Sequence, residues 1–268
     1  MNNINPVPNQ NTLIDKSLRI ARRKAEKNEQ VLPRAANWIH NMVSSTVTSF
    51  PDMDDLDEYV AEMISLSFTI DDVKKSLGGV YSVGSIAQEA AKTGSVSVFV
   101  GRLSEAIEKR QDDFERLHLV RKEFRRLPTL LDTYRVALVG YPNTGKTSLL
   151  SDLTGADPDI QSYEFTTKYV NAGTMETIFG DVQILDTPGV LLRDDKRNEI
   201  EKRAFITARY AADECVVVGQ DIFGDSDHQK VVEAFTYRDN VPVLYGEGGV
   251  QTVSELKKEL ISRLKRVQ

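Results

Sequence analysis

The chain has 268 residues, 40% of them apolar, with one cysteine and a formal net charge of −6. That length suits one large or two modest domains with real cores, and a lone Cys215 in an apolar run excludes an internal disulfide and reads as a buried filler. No apolar run approaches the roughly 20 residues that span a bilayer, and the polar opening MNNINPVPNQN lacks the apolar stretch of a secretory signal, so a cytoplasmic chain without membrane contact is expected.

The charge is unevenly placed. Residues 1–128 carry 18 Lys+Arg against 18 Asp+Glu, while residues 129–268 carry 16 against 22. Residues 12–127 read as helices. TLIDKSLRIARRKAEKNE opens at Thr12 with Asp15 three residues on, close to a capping box. VLPRAANWIHNMVSSTVTSF has Pro33 near its start, where a helix tolerates proline. MDDLDEYVAEMISLSF begins with acids, as helix N-termini prefer. After Gly78-Gly79 comes VYSVGSIAQEAAK, and Gly94 precedes a long periodic stretch. Its apolar positions Phe99, Leu103, Ile107, Phe114, Leu117, Phe124 and Leu127 form one stripe. That spacing predicts a single helix from Ser95 to Leu127, roughly 50 Å long, ended by Pro128. Such stripes ordinarily pack a core, and a helical bundle over residues 12–128 buries them.

From Arg135 the pattern changes to strand, turn, helix. RVALVG is a short buried strand and KTSLLSDLTG a helix closed by Gly155. KYVNAGTMETIF and VQILD flank Gly180-Asp181 and predict a hairpin. NEIEKRAFITARYA is helical, CVVVGQ a strand, DHQKVVEAFTYR a helix, VPVLY a strand and VSELKKELISRLKRV a last helix. Alternation of this kind implies a mostly parallel sheet covered on both faces, so residues 133–268 are expected to form an α/β domain after the bundle.

GYPNTGKT, residues 140–147, fits the phosphate-loop pattern G-x-x-x-x-G-K-[ST], and it leaves an apolar strand and opens a helix. Backbone N–H groups over Asn143, Thr144, Gly145, Lys146, Thr147 and Ser148 would cradle phosphate. Lys146 is expected on the β- and γ-phosphates, and Thr147 on Mg²⁺. LDTPG, residues 185–189, ends the second hairpin strand. Asp186 there is placed to hold Mg²⁺, and Gly189 to offer its N–H to a γ-phosphate. Between the two lies SYEFTTK, where Thr167 is favoured over Thr166 to complete the magnesium shell. Lys146, Thr167 and Gly189 are therefore the candidate catalytic group, and Thr147, Thr167 and Asp186 the candidate metal ligands.

Together GYPNTGKTSLL, SYEFTTK and ILDTPGVLLRDDKRNEIEKRA resemble the Obg-like branch of translation GTPases. Within it they are most similar to the nucleolar GTP-binding protein family and its shorter prokaryotic relatives. AIEKRQDDFERLHLVRKEFRRLP resembles the end of that family's N-terminal bundle. The resemblance implies a P-loop GTPase-type domain binding GTP or GDP with Mg²⁺. It also implies a role in assembly of the large ribosomal subunit, with ribosomal RNA and proteins as partners. Asn143 resembles an asparagine that helps hold K⁺ in several such GTPases.

The chain departs from the family at its end. The family follows the fifth strand with an Asn-Lys-x-Asp guanine reader, then a further strand and a Ser-Ala loop. Here VPVLY is followed by GEGG, residues 246–249, and the last helix starts almost at once. The domain is thus expected to be C-terminally shortened, with a weakened preference for GTP over ATP. Backbone groups of residues 246–250, or Tyr245 stacked on the base, are the substitutes on offer. Val190 stands where many small GTPases keep a water-positioning Gln, so slow turnover raised by K⁺ or by a partner is expected. A ribosome-binding module with a decayed site and an ATPase stay open as alternatives. Intact Lys146, Thr147 and Asp186 argue against decay. Arg193, Lys196 and Arg197 follow DTPG and read first as solvated charge. Two basic clusters read equally as solvated helix faces or as RNA contacts: Lys16, Arg19, Arg23 and Lys27 on one face, and Arg116, Arg121, Lys122, Arg125 and Arg126 near the bundle's end.

Overall fold

A computed structural model of the chain describes residues 3–25, 30–155, 168–192, 198–219, 225–236, 242–246 and 248–267. The chain divides into two units, Met1–Arg125 and Arg126–Gln268. In the first, the helices are α1 (Leu13–Lys24), α2 (Val31–Val47), α3 (Glu58–Ser65), α4 (Ile70–Ala91), α5 (Val96–Glu108) and α6 (Gln111–Arg126). Asp57, Thr69 and Ser95 cap α3, α4 and α5, their side-chain oxygens accepting from the backbone N–H groups of Tyr59, Asp72 and Val98. Thr12 precedes α1 without a side-chain cap bond. The expected capping box is replaced by a 3-10 turn, Gln10–Thr12, which Asn9 caps by accepting from Asn11.

The single long helix expected from Ser95 to Leu127 is two helices. At Lys109 and Arg110 the chain makes a tight turn, with Arg110 N–H donating to Ile107 at 3.0 Å. Gln111, Asp112 and Asp113 then restart a helix with acids at its N-terminus. The stripe nevertheless packs a core: Phe99, Leu103, Phe114, Leu117 and Phe124 are fully buried. Gly78 and Gly79 both lie inside α4. A Cβ at Gly84, on the same helix, would lie 2.9 Å from His40 Nδ1 and Val43 Cγ2 of α2. The glycine lets the two helices approach closely. Ser76 of α4 donates to Asp113 Oδ1 at 2.9 Å and accepts from Arg116 at 2.7 Å, a polar tie to α6.

The second unit carries a five-stranded sheet in the order β2-β3-β1-β4-β5 among its described residues. The strands are β1 (Tyr134–Val139), β2 (Asn171–Met175), β3 (Val182–Asp186), β4 (Glu214–Val218) and β5 (Val243–Tyr245). β1, β3, β4 and β5 are parallel, and β2 pairs antiparallel with β3 through the expected hairpin. The helices are α7 (Lys146–Thr154), α8 (Glu199–Ile206), α9 (Asp225–Ala234) and α10 (Val253–Val267), and a π turn, Thr207–Ala211, follows α8. Alternation along β1 sends Val136 and Leu138 to one face and Ala137 and Val139 to the other. The first face packs Leu149 and Leu153 of α7 and Leu256, Leu260 and Leu264 of α10. The second packs Ala204, Ala208, Val231 and Phe235. Both faces are apolar because helices cover both. Cys215 is buried in this core, and burial pushes its thiol up to about 12, so it is inert filler. The segment before β1 is pinned to the sheet by buried Gln183, which donates to Thr129 O at 2.8 Å and accepts from Leu131 N–H at 2.9 Å. Among the described residues no helix is long and apolar enough to cross a membrane.

Candidate functional site

β1 ends at Val139 and the chain turns sharply through residues 140–145 before α7 begins at Lys146. Gly140 has φ 149°, and a Cβ there would lie 2.5 Å from Val218 O at the end of β4. Gly145, at φ 85°, is the N-cap of α7 and supplies no side chain to its first turn. The helix N-terminus therefore keeps its amide groups for an anion, which the helix dipole favours. Asn143 is exposed and left-handed at φ 61°, a conformation asparagine tolerates well, so the turn alone accounts for the residue type. Thr144 is buried, its hydroxyl donating to Tyr141 O at 3.0 Å. Ser148 is exposed in the first turn of α7.

Lys146 is 5% exposed. Its Nζ donates to Tyr141 O at 2.6 Å and to Gly140 O at 3.3 Å. Burial lowers its pKa to about 8, against the opposing pull of the Asp186 carboxylate. A desolvated ammonium held by carbonyl oxygens is a preformed partner for a phosphate. The Thr147 hydroxyl donates to Asp186 Oδ2 at 2.8 Å, and Asp186 is fully buried at the end of β3. A hydroxyl and a carboxylate in contact form a hard oxygen pair of the kind Mg²⁺ takes together with phosphate oxygens and water. Among the described residues no three His, Cys, Asp or Glu side chains gather into a metal cluster. The pair fits a nucleotide-borne magnesium, to which it would supply two protein oxygens. Asn171 Nδ2, across the hairpin on β2, lies 3.5 Å from the same Asp186 oxygen.

Beyond Asp186 the chain is tied to the phosphate loop. Thr187 donates its hydroxyl to Leu138 O at 2.7 Å, and Val190 N–H donates to Gly140 O at 3.0 Å. A Cβ at Gly189 would lie 2.6 Å from the backbone of Pro142, so only glycine permits this approach. Val190 is fully buried among Tyr141, Ala204 and Ala208, which is why an apolar residue stands there. Buried Glu201 accepts from Leu191 N–H at 2.7 Å and forms a capping box with Asn198 at the start of α8. Leu192 follows at φ 49°, strained for a branched side chain.

Of the residues expected at this site, Lys146, Thr147 and Asp186 lie together and Gly189 packs on Pro142 of the phosphate loop, while Asn143 and Ser148 are exposed on that loop and the first turn of α7. Thr166 and Thr167 lie outside the described residues, as do Lys27, Arg193, Lys196, Arg197 and Glu247. Glu201 and Asn171 were missed as site-supporting residues. Asn198 three residues before Glu201 is a capping-box signal in RNEIE that points to the first. Tyr169 was also missed: the guanidinium groups of Arg126 and Arg203 lie 4.3 and 5.1 Å from its ring centre. The second basic cluster is largely structural. Arg116 bonds Ser76, Arg121 donates to Ile4 O at 2.9 Å and Arg126 covers Tyr169, while Lys122 and Arg125 are exposed. On α1, Lys16, Arg19, Arg22, Arg23 and Lys24 are all exposed.

Comparison with known proteins agrees with this architecture. Residues 2–131 match the family model described as the NOG1 N-terminal helical domain, and residues 135–245 match the model described as 50S ribosome-binding GTPase. The chain is 31% identical over 193 residues to the uncharacterized protein MJ1408 of Methanocaldococcus jannaschii, covering 66% of this chain and 54% of that one. It is 28% identical over 235 residues to nucleolar GTP-binding protein 1 of Drosophila melanogaster, covering 81% of this chain and 36% of the relative. With the probable nucleolar GTP-binding protein 1 of Dictyostelium discoideum the identity is 30% over 204 residues, covering 70% and 30%. The chain therefore spans about half the length of the first of these relatives and about a third of the other two. With a matching helical domain followed by a matching GTPase domain, the chain belongs to the nucleolar GTP-binding protein family.

Proposed function

We propose that this protein binds GTP with Mg²⁺, hydrolyses it slowly, and acts as a switch in assembly of the large ribosomal subunit. The observation that carries the reading is the Thr147–Asp186 contact at 2.8 Å beside buried Lys146, at a helix N-terminus whose cap supplies no side chain. Bound magnesium supplies charge neutralisation on the triphosphate. The chain's own residues would then hold the phosphates (amides of residues 143–148 and Lys146) and orient the metal (Thr147, Asp186 and Thr167). Gly189, anchored beside Pro142, would offer its N–H to the γ-phosphate and so report its loss to the loop that Glu201 holds.

Slow hydrolysis is supported by Val190, whose side chain is fully buried and cannot orient a water. K⁺ at Asn143, or a partner, is the proposed source of acceleration. The ribosomal partner is supported by the description of the GTPase-domain model as ribosome-binding. The exposed basic face of α1 suits the phosphates of ribosomal RNA.

The test is binding of a fluorescent GTP analogue with and without Mg²⁺, in wild type and Lys146→Ala. Binding that needs Mg²⁺ and is lost in the variant is expected, while the variant keeps its helical circular-dichroism signal. Unchanged binding in the variant overturns the assignment. Co-sedimentation with large ribosomal subunits at low and high salt tests the partner, and absence of co-sedimentation at low salt overturns it.

A further inference from the structure

We propose that the site selects its nucleotide by the magnesium-bound triphosphate and not by the base, so that GTP and ATP occupy it with similar affinity. This deepens, and rests on, the nucleoside-triphosphate reading above. The carboxyl ends of parallel strands β1, β4 and β5 share one side of the sheet, where ligands of open α/β sheets lie. Gly140 would press a Cβ to 2.5 Å from Val218 O, and Gly246 would press one to 2.6 Å from Gly219 O. The phosphate loop, the end of β4 and the segment leaving β5 are therefore shoulder to shoulder. The segment after β5 lies where a base extending from the phosphates along this edge is to be recognised.

Guanine presents N1–H and N2–H donors and an O6 acceptor, whereas adenine presents the complementary pattern at N1 and N6. A site reads the difference with acceptors and donors aimed outward. Here described backbone groups at and after the end of β5 bond one another or the end of β4. Tyr245 O accepts from Gly219 N–H at 3.0 Å and Leu244 O from Val250 N–H at 2.9 Å. Val250 O accepts from Gly246 N–H at 2.8 Å and Gly246 O from Gly249 N–H at 3.2 Å. A Cβ at Gly249 would sit 2.2 Å from Leu244 O, so the turn is folded as tightly as glycine allows. Val250 thereby forms a bridge beside Tyr245 at the edge of the sheet. Tyr245 is partly buried and packs against the apolar cluster that includes Val218, Val243 and Leu256. Among the described residues, the carbonyls of Leu244, Tyr245, Gly246 and Val250 are thus each engaged in holding the turn, and the Tyr245 side chain leans on the core. Lys146, Thr147 and Asp186, by contrast, stand together at the phosphate loop.

The test displaces a fluorescent GTP analogue, in Mg²⁺, with GTP, ITP and ATP. ITP lacks the guanine 2-amino group. Inhibition constants within about fivefold of one another are expected, where a site built on base hydrogen bonds discriminates by about 10⁴-fold. A preference for GTP over ATP of about 100-fold or more overturns the proposal while leaving the triphosphate reading intact. Glu247→Gln serves as the internal control. An unchanged GTP-to-ATP ratio is expected, and a ratio that falls about tenfold or more identifies a carboxylate reader and also overturns the proposal. Failure of every triphosphate to displace the probe overturns the underlying reading as well, and is distinguishable from base-selective binding.

Discussion

Glu201 accepts the backbone N–H of Leu191 at 2.7 Å, reaching across ten residues from the first turn of α8 to the loop that follows Gly189. The same carboxylate accepts from Asn198 N–H at 3.3 Å and completes a reciprocal cap with the Asn198 side chain. One buried side chain therefore closes a helix end and holds the loop after Gly189. Glu201→Ala removes the cap and leaves a backbone donor unsatisfied. A loss of about 1–3 kcal/mol in urea unfolding is expected. Hydrogen exchange of the amides at residues 189–192 should rise in the same variant. Glu201→Gln, which keeps an acceptor oxygen, should recover about half of the loss. Equal stability of Glu201→Ala and wild type would show that the cap carries no weight.

Lys146 makes the ligand-free fold pH-dependent in a defined window. Burial lowers its pKa from 10.5 to about 8, so between those values the unfolded chain binds more protons than the folded one. Stability then rises with pH across that window, and below about pH 8 the full cost of burying the ammonium is felt. Comparison of wild type with Lys146→Met should show wild type gaining up to a few kcal/mol relative to the variant from pH 8 to 10.5. Urea midpoints at several pH values measure it, and parallel pH profiles would refute a lowered pKa. Saturating Mg²⁺-nucleotide should stabilise wild type and leave the variant's midpoint unmoved.

Gly189 packs where no side chain fits. A Cβ would lie 2.6 Å from both Pro142 Cα and N, backbone atoms that cannot rotate away. Gly189→Ala must push the DTPG loop from the phosphate loop and break the Val190–Gly140 bond. Overpacking of this kind costs about 1–3 kcal/mol, and nucleotide affinity is expected to fall about tenfold or more. Isothermal titration with a GTP analogue reads the second effect, and wild-type affinity would remove Gly189 from the site.

The parts of this protein that were legible in the sequence are those written at short range. GYPNTGKT and LDTPG each encode a strand end and the turn after it. Two strands laid parallel then bring Thr147 and Asp186 into contact, because β1 pairs with β3 in register from Tyr134–Val182 to Leu138–Asp186. Periodicity was blind where two arrangements share one spacing. The seven-residue step from Ile107 to Phe114 suits one long helix or two short ones, and the break at Lys109–Arg110 leaves the stripe intact. The stacking of Arg126 and Arg203 on Tyr169 joins three segments far apart in sequence, so no local signal announces it. The absence of Asn-Lys-x-Asp after VPVLY could be seen in GEGG. That the replacement turn bonds to itself through Val250 could not, since it depends on which edge of β5 the turn folds against.

Two glycines of α4 separate the roles that sequence alone merges. Gly78 is exposed in the helix interior, and a Cβ there would meet nothing within 4 Å. Its effect on the fold is an entropic penalty without compensation. Gly78→Ala is therefore expected to stabilise the chain by about 0.5–1 kcal/mol. Gly84 is buried against α2, and a Cβ would lie 3.0 Å from the His40 Cα as well as 2.9 Å from its Nδ1. Gly84→Ala gains the same helix propensity but must separate two helices, and overpacking costs about 1–3 kcal/mol. The two substitutions are chemically identical and six residues apart on one helix. Their opposite signs in thermal or urea unfolding would measure close packing between α2 and α4 with helix propensity held constant, and equal effects would mean that α2 moves aside at no cost.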